Sequence, residues 1–234
     1  MPIVIESVEV RDVRFPTSDL LDGSDAVHKD PDYSVVYVIL HTSQQGLEGH
    51  GMTFTLGRGN EVIVKCVEAF IPLIVGQTLE GITSDWVSFV TSMTAESQLR
   101  WIGPEKGVVH MAAGAFINAA WDMYAKSEGK PLWKLLVDMS PEELVGAIDF
   151  HWITDALTKT EALEILHSLK DTKTAREAEM LRDGFPAYTT SAGWLGYPDD
   201  KIRALCREYI ADGLNDFKMK VMQMDDTWFR ETQQ

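Results

Sequence analysis

The spacing of apolar positions changes character along the chain. In the first third it follows a period of two: "IESVEVRDVRF", "YSVVYVILHT" and "GLEGHGMTFT" each read as a strand, the last two separated by the short polar turn "SQQ". An antiparallel meander is the simplest arrangement of three such strands. The first two are separated by "PTSDLLDGSDAVHKDPD", which is far longer than a hairpin turn and rich in turn formers. A connection of that length is a solvated loop or a lid over a site.

The period then becomes helical. Ile63, Cys66, Val67, Phe70 and Ile71 share one face of a helix for which Asn60 is the expected N-cap and Pro72 the expected end or kink. "SDWVSFVTSM" predicts a second, shorter helix. "GVVHMAAGAFINAAWDMYAKSEGKP" is apolar nearly all round, which predicts a buried central helix closed by Lys126, Gly129 and Pro131. "PLWKLLV" adds one or two more turns. From about residue 146 strands and helices alternate. "GAIDFHWITDA" reads as a strand, and Ala162, Ile165, Leu166 and Leu169 mark a helix followed by a charged, loop-like stretch to Gly184. "AYTTSAG" reads as a strand again. Ile202, Leu205, Cys206, Tyr209 and Ile210 stripe a helix after Pro198, and "DFKMKV" is a third strand. Strands separated by helices pair in parallel through right-handed crossovers. Residues 1–145 therefore read as an α+β domain, and residues 146–234 as the opening of a parallel β/α domain.

A β/α barrel needs about 250 residues, far more than follow residue 146, and "MQMDDTWFRETQQ" continues no strand–helix grammar. The expectation is the first strands of an incomplete barrel. With 234 residues, 45% of them hydrophobic, the chain can bury a substantial core. Its net charge of −15 argues against nucleic acid and anionic membranes as partners. No apolar run reaches membrane-spanning length, and the N-terminus lacks signal-peptide and transit-peptide patterns. A soluble intracellular protein is expected. Cys66 and Cys206 match no zinc or redox spacing and read as reduced core thiols.

The candidate chemistry is narrow. No phosphate loop, dinucleotide fingerprint, G-x-S-x-G or H-E-x-x-H motif is present. His110 falls on the buried helix and reads as a hydrogen-bonded core residue; His41, His50, His151 and His167 have no ligand-spaced partner. Asp225 and Asp226 read as surface charge. In "DFKMKV", Phe217, Met219 and Val221 share one strand face, and Lys218 and Lys220 share the other. That second face is either solvated or aimed into a site at the strand's C-terminal end. In a site, two adjacent ammonium groups lower each other's pKa, so one lysine can act as a base while the other neutralises a carboxylate.

"RDVRFPTS", "DPDYS", "TFTLGRGNEV", "QLRWIGPEKGVVH", "EGKPLWKLLVDMSPEEL", "IDFHWITDALT", "AYTTSAGWLGY" and "FKMKV" together resemble the L-fuconate dehydratase family of the enolase superfamily. That family lies in the mandelate-racemase-like branch and takes in the animal mitochondrial enolase superfamily members. The likeness runs from about Arg11 to Val221. It implies an enolase-type capping domain followed by a modified β/α (TIM-like) barrel. It also implies Mg2+-dependent dehydration of a sugar acid to a 2-keto-3-deoxy acid. Lys220 would remove the proton α to the carboxylate, and Lys218 would contact that carboxylate. Gly23, Ser24, Asp25 and Tyr33 would close over the sugar. The metal carboxylates and an acid histidine belong to barrel strands beyond residue 221, so this stretch is expected to bind no metal and to be inactive alone. The resemblance points to a mitochondrial protein, with the cytoplasm as alternative, and to a small sugar acid as partner, with a homo-oligomer possible. Another acid-sugar dehydratase, an epimerase or a non-catalytic interaction protein are the competing readings.

Overall fold

A computed structural model describes residues 1–103 and 105–220. The chain divides into two compact units. The first comprises Met1–Val13, Val35–Thr55 and Gly59–Ala178; the second comprises Arg14–Ser34, Leu56–Arg58 and the segment from Glu179 onward.

The expected meander is present as a three-stranded sheet in the order β1 (Ile5–Arg14), β2 (Ser34–Thr42), β3 (Glu48–Thr55). Along β2 the alternation does its predicted work, with Val36, Val38 and Leu40 fully buried. Helices α1 (Asn60–Ile74), α2 (Leu79–Ser84), α3 (Trp86–Thr94) and α4 (Val108–Ser127) follow. Thr78 and Asp85 cap α2 and α3 by accepting from the Gly81 and Ser88 amides.

Helix α4 lies against β3, and small residues on both sides allow the close approach. A Cβ at Gly49 would run into the Ala119 carbonyl, and one at Gly51 into that of Ala115. Phe116 on α4 meets Phe70 on α1 edge to face at 6.4 Å, and both are fully buried. Trp86 stacks flat on Trp121 at 3.8 Å.

Several local expectations are corrected. Pro72 does not end the helix where it stands: α1 runs on two residues to Ile74, with Pro72 inside its last turn. Asn60 begins the helix instead of capping it. Its buried amide accepts from Thr55 Oγ1 at 2.8 Å and donates to Asp12 Oδ1 at 2.6 Å, tying three elements together. His110 is not satisfied as expected: its buried Nδ1 has no hydrogen-bond partner among the described residues, and Nε2 stands 3.8 Å from Glu105.

After α5 (Leu132–Asp138), a capping box at Ser140 and Glu143 starts α6 (Pro141–Gly146). The strand expected over residues 146–156 is not formed; residues 151–156 make consecutive turns. A strand there needs pairing partners on both sides, and in "GAIDFHWITDA" only Phe150 is deeply buried. Thr158 and Glu161 form a second capping box for α7 (Lys159–Ser168). The charged stretch expected as loop is α8 (Lys173–Asp183), ending at Gly184 with φ +74°. Good helix formers outweigh its lack of buried residues, and Glu177 pairs with Lys134 at 2.5 Å.

In the second unit the expected parallel strands are reduced to one bridge, Thr189 with Phe217. It is followed by a bond from the Lys220 amide to the Gly193 carbonyl at 2.9 Å. Helix α9 (Asp199–Ala211) forms as its stripe predicts, though none of its residues is fully buried. Cys66 is buried, which pushes its thiol pKa up, whereas Cys206 on α9 is only partly buried.

Candidate active site

Lys218 and Lys220 stand where the backbone is fixed from the neighbouring stretch. The Lys218 amide donates to Thr189 O and the Lys220 amide to Gly193 O, both at 2.9 Å. Gly193 lets Met219 pass close: a Cβ there would sit 2.5 Å from the Met219 methyl. With Met219 turned to that side, the lysines take separate aromatic neighbours. Lys220 Nζ lies 5.6 Å from the Trp194 ring centroid, and Lys218 Nζ lies 5.6 Å from that of Tyr188. Val221, Asp225 and Asp226 fall outside the described residues.

The long loop between β1 and β2 supplies the other wall. It is held by its own polar side chains. Thr17 Oγ1 donates to Pro31 O and accepts from the Tyr33 amide, and Asp32 accepts from the amide and hydroxyl of Ser18. These bonds hold the Asp32 carboxyl below its ordinary pKa, the Ser18 hydroxyl acting most strongly. Leu21 takes a left-handed conformation at φ 58°, a state that leucine keeps only when its surroundings hold it. Gly23 follows at φ +85° with the Tyr33 ring so close that no Cβ would fit, and the Tyr33 hydroxyl donates to its carbonyl at 3.2 Å.

Ser24 is buried, and its hydroxyl lies against the carbonyls of Leu21 and Leu195; its own carbonyl accepts from the Leu195 amide at 3.2 Å. Asp25 accepts on Oδ1 from the amides of His28 and Val27 and meets the His28 ring nitrogen at 3.1 Å. The His28 amide is the main cause of its depressed pKa. Its other oxygen faces Lys220 Nζ at 4.0 Å, too long for a hydrogen bond and near enough for charge attraction. Tyr33 meets Trp194 edge to face at 6.4 Å. Burial, then the Asp25 charge, push the Tyr33 phenol pKa up.

Of the six residues singled out in the sequence, Gly23, Ser24, Asp25, Tyr33 and Lys220 therefore gather in one place, around Trp194. Lys218 points to Tyr188. Sequence reasoning missed Trp194, Tyr188, Tyr197 and the loop acid Asp22. The usable signal was "GWLGY", two aromatics flanking a glycine in a loop between strand and helix patterns. Among the described residues no three His, Cys, Asp or Glu side chains gather into a metal site. No described helix is long and apolar enough to cross a membrane.

A mandelate racemase / muconate lactonizing enzyme N-terminal domain model matches residues 24–137. Mitochondrial enolase superfamily member 1 of Bos taurus is 55% identical over 218 residues, which make up 93% of this chain and 49% of the relative. The chain belongs to the enolase superfamily. It is also 47% identical to the L-galactonate dehydratase of Hypocrea jecorina, over 94% of this chain and 49% of that protein. The crystal structure of human mitochondrial enolase superfamily member 1 superposes with a TM-score of 0.90 at 50% identity, covering 99% of this chain and 53% of that one. The small antiparallel sheet with its helices is thus the superfamily's N-terminal capping domain. The chain spans about half the length of the curated relatives it matches, and sugar-acid dehydratases are among its family.

Proposed function

We propose that this chain supplies the base and the lid of a sugar-acid dehydratase acting on L-fuconate or a six-carbon acid of the same class. It lies in a capping domain over residues 1–145 and the start of a barrel from residue 146. The observation that carries the reading is the convergence of Lys220, Asp25 and Tyr33 on Trp194. An amine on a fixed backbone faces a carboxylate across a gap too wide for a direct bond, beside an aromatic wall. That arrangement suits a polyhydroxylated acid: Lys220 takes the C2 proton, Asp25 accepts from a sugar hydroxyl, and Trp194 and Tyr33 cover the carbon chain. Lys218 contacts the substrate carboxylate. Loss of the C2 proton and of the C3 hydroxide gives an enol, which becomes the 2-keto-3-deoxy acid. In the longer relatives a Mg2+ ion would offset the charge that develops on the carboxylate oxygens. The described residues do not fit one, so we take its ligands to lie outside them, and this chain alone not to turn over. A mitochondrial location is part of the same reading, on the naming of the relatives.

The test is formation of 2-keto-3-deoxy acid from L-fuconate with Mg2+, by this chain alone and by the chain joined to the second half of its bovine relative. The expected result is turnover only by the joined protein, abolished by Lys220→Ala. Turnover by the short chain above its Lys220→Ala control would refute its predicted inactivity. Activity of the joined Lys220→Ala protein would refute the base assignment.

A further inference from the structure

The residue just before the site loop has a set of contacts that the proposed chemistry does not use. The Asp22 carboxylate accepts the hydrogen bond of the Tyr197 phenol. Lys201 Nζ stands 3.4 Å from the same Asp22 oxygen. That ammonium also lies 3.5 Å from the centroid of the Tyr197 ring and 3.4 Å from the Leu20 carbonyl. Three side chains from two separate stretches thus close a triangle, with a contact along every edge: a charge-assisted hydrogen bond, an ion pair and a cation over a ring.

The triangle sits at the turn of the loop that carries its left-handed residues. Leu21 is left-handed, and Gly23 two residues later is left-handed as well. The turn is closed locally by the Asp22 amide on Thr17 O at 3.0 Å and the Ser24 amide on Leu21 O at 3.2 Å. Those bonds shape the turn but do not fix where it stands. Fixing comes from the other stretch, which holds Ser24 through the Leu195 amide and carbonyl and Asp22 through Tyr197 and Lys201. Lys201 is in the first turn of α9, and Tyr197 is in the turn before it, after Gly196 at φ +89°. Leu21 packs onto Gly196 so closely that a Cβ there would lie 2.7 Å from its methyl.

We propose that Asp22, Tyr197 and Lys201 form a positioning clamp that sets where Ser24 and Asp25 stand over Lys220. The proposal rests on the functional reading above only for the role of Asp25 and Lys220. None of the three clamp residues reaches Lys220; they act through the residues that follow Asp22. A shift of the turn by about an ångström would close or open the gap between Asp25 and Lys220, and misplacement on that scale costs reactions of this kind about a hundredfold. Tyr197 suits the task because burial, and after it the hydrogen bond to Asp22, push its pKa up. The phenol therefore remains a hydrogen-bond donor well into alkali.

The test uses the 234-residue chain itself and needs no turnover. Amide hydrogen exchange is read separately over residues 17–25 and over α4. Tyr197→Phe keeps the ring beneath Lys201 and removes only the donor. It is expected to speed exchange over residues 17–25 about tenfold or more and leave α4 unchanged. Asp22→Asn is expected to speed loop exchange as well, and Lys201→Arg to preserve the loop protection that Lys201→Ala loses. Unchanged loop exchange in Tyr197→Phe, or loss of protection throughout α4, would overturn the clamp. So would unchanged loop exchange in Asp22→Asn. If the clamp passes and the dehydration assay fails, only the functional reading falls; the reverse pair of results would remove only the clamp.

Discussion

Helix α4 in the first unit buries nine of its residues, whereas α9 in the second unit buries none fully. The first unit is organised by apolar contact: Phe70, Phe116, Ile74, Val67 and the inward face of β2 are sealed from water. The second is organised by polar side chains bonding to backbone: Thr17, Ser24, Asp25 and Asp32 each bond main-chain groups. Apolar burial tolerates no rearrangement without exposing a core, so it makes a rigid scaffold. Side-chain-to-backbone bonds are individually worth little against water, so they make a loop that can be reshaped at small cost. A lid over a sugar acid needs the second kind of construction.

That contrast fails if the two regions respond alike to damage. The largest effect is expected from Phe116→Ala, which leaves a cavity between α4 and α1. Urea unfolding should show a loss of about 3–5 kcal/mol. Next comes Gly51→Ala, where the new methyl meets backbone rather than a movable side chain. It should cost about 1–3 kcal/mol through overpacking, with the loss again read in global unfolding. Ser24→Ala removes one hydroxyl from the second unit. Its cost should be about 1 kcal/mol, confined to faster amide exchange over residues 17–25 with the unfolding midpoint nearly unchanged.

Acid gives the smallest perturbation. The carboxyls of Asp25 and Asp32 lie below their ordinary value when folded, Asp25 through the His28 amide and Asp32 through the Ser18 hydroxyl. A depressed folded pKa contributes stability that is present above the unfolded value, about 3.9, and is lost as pH falls through the folded one. Protection of the loop amides, relative to their intrinsic exchange rate at each pH, should therefore fall below about pH 4 while that of α4 is kept. Loop and helix losing protection together would contradict the two-part description.

The sequence was most informative where one physical rule acts alone. The period-two strands of the first third and the all-round apolar α4 could be read directly because burial dictates their spacing. Asn60 and Pro72 were misread because position within a helix turn, which patterns give only to within a few residues, decides what each does. Residues 146–156 were read as a strand from composition, yet a strand is a property of its neighbours, and "GAIDFHWITDA" forms turns instead. In the site, Lys220, Asp25 and Tyr33 were named from family likeness. Trp194, Tyr197 and Lys201 were not, because the contacts that matter join residues about 175 apart in the chain. Such contacts leave no local signature.

The most direct measurement of the central claim is exchange of the C2 proton of L-fuconate in D2O, followed by proton NMR with Mg2+ and the chain joined to its relative's second half. The account expects deuterium to enter C2 of substrate or product, loss of that exchange in Lys220→Ala, and its weakening when Asp25→Asn alters the facing wall. Exchange that persists in Lys220→Ala would contradict it, because Lys220 would then not be the base.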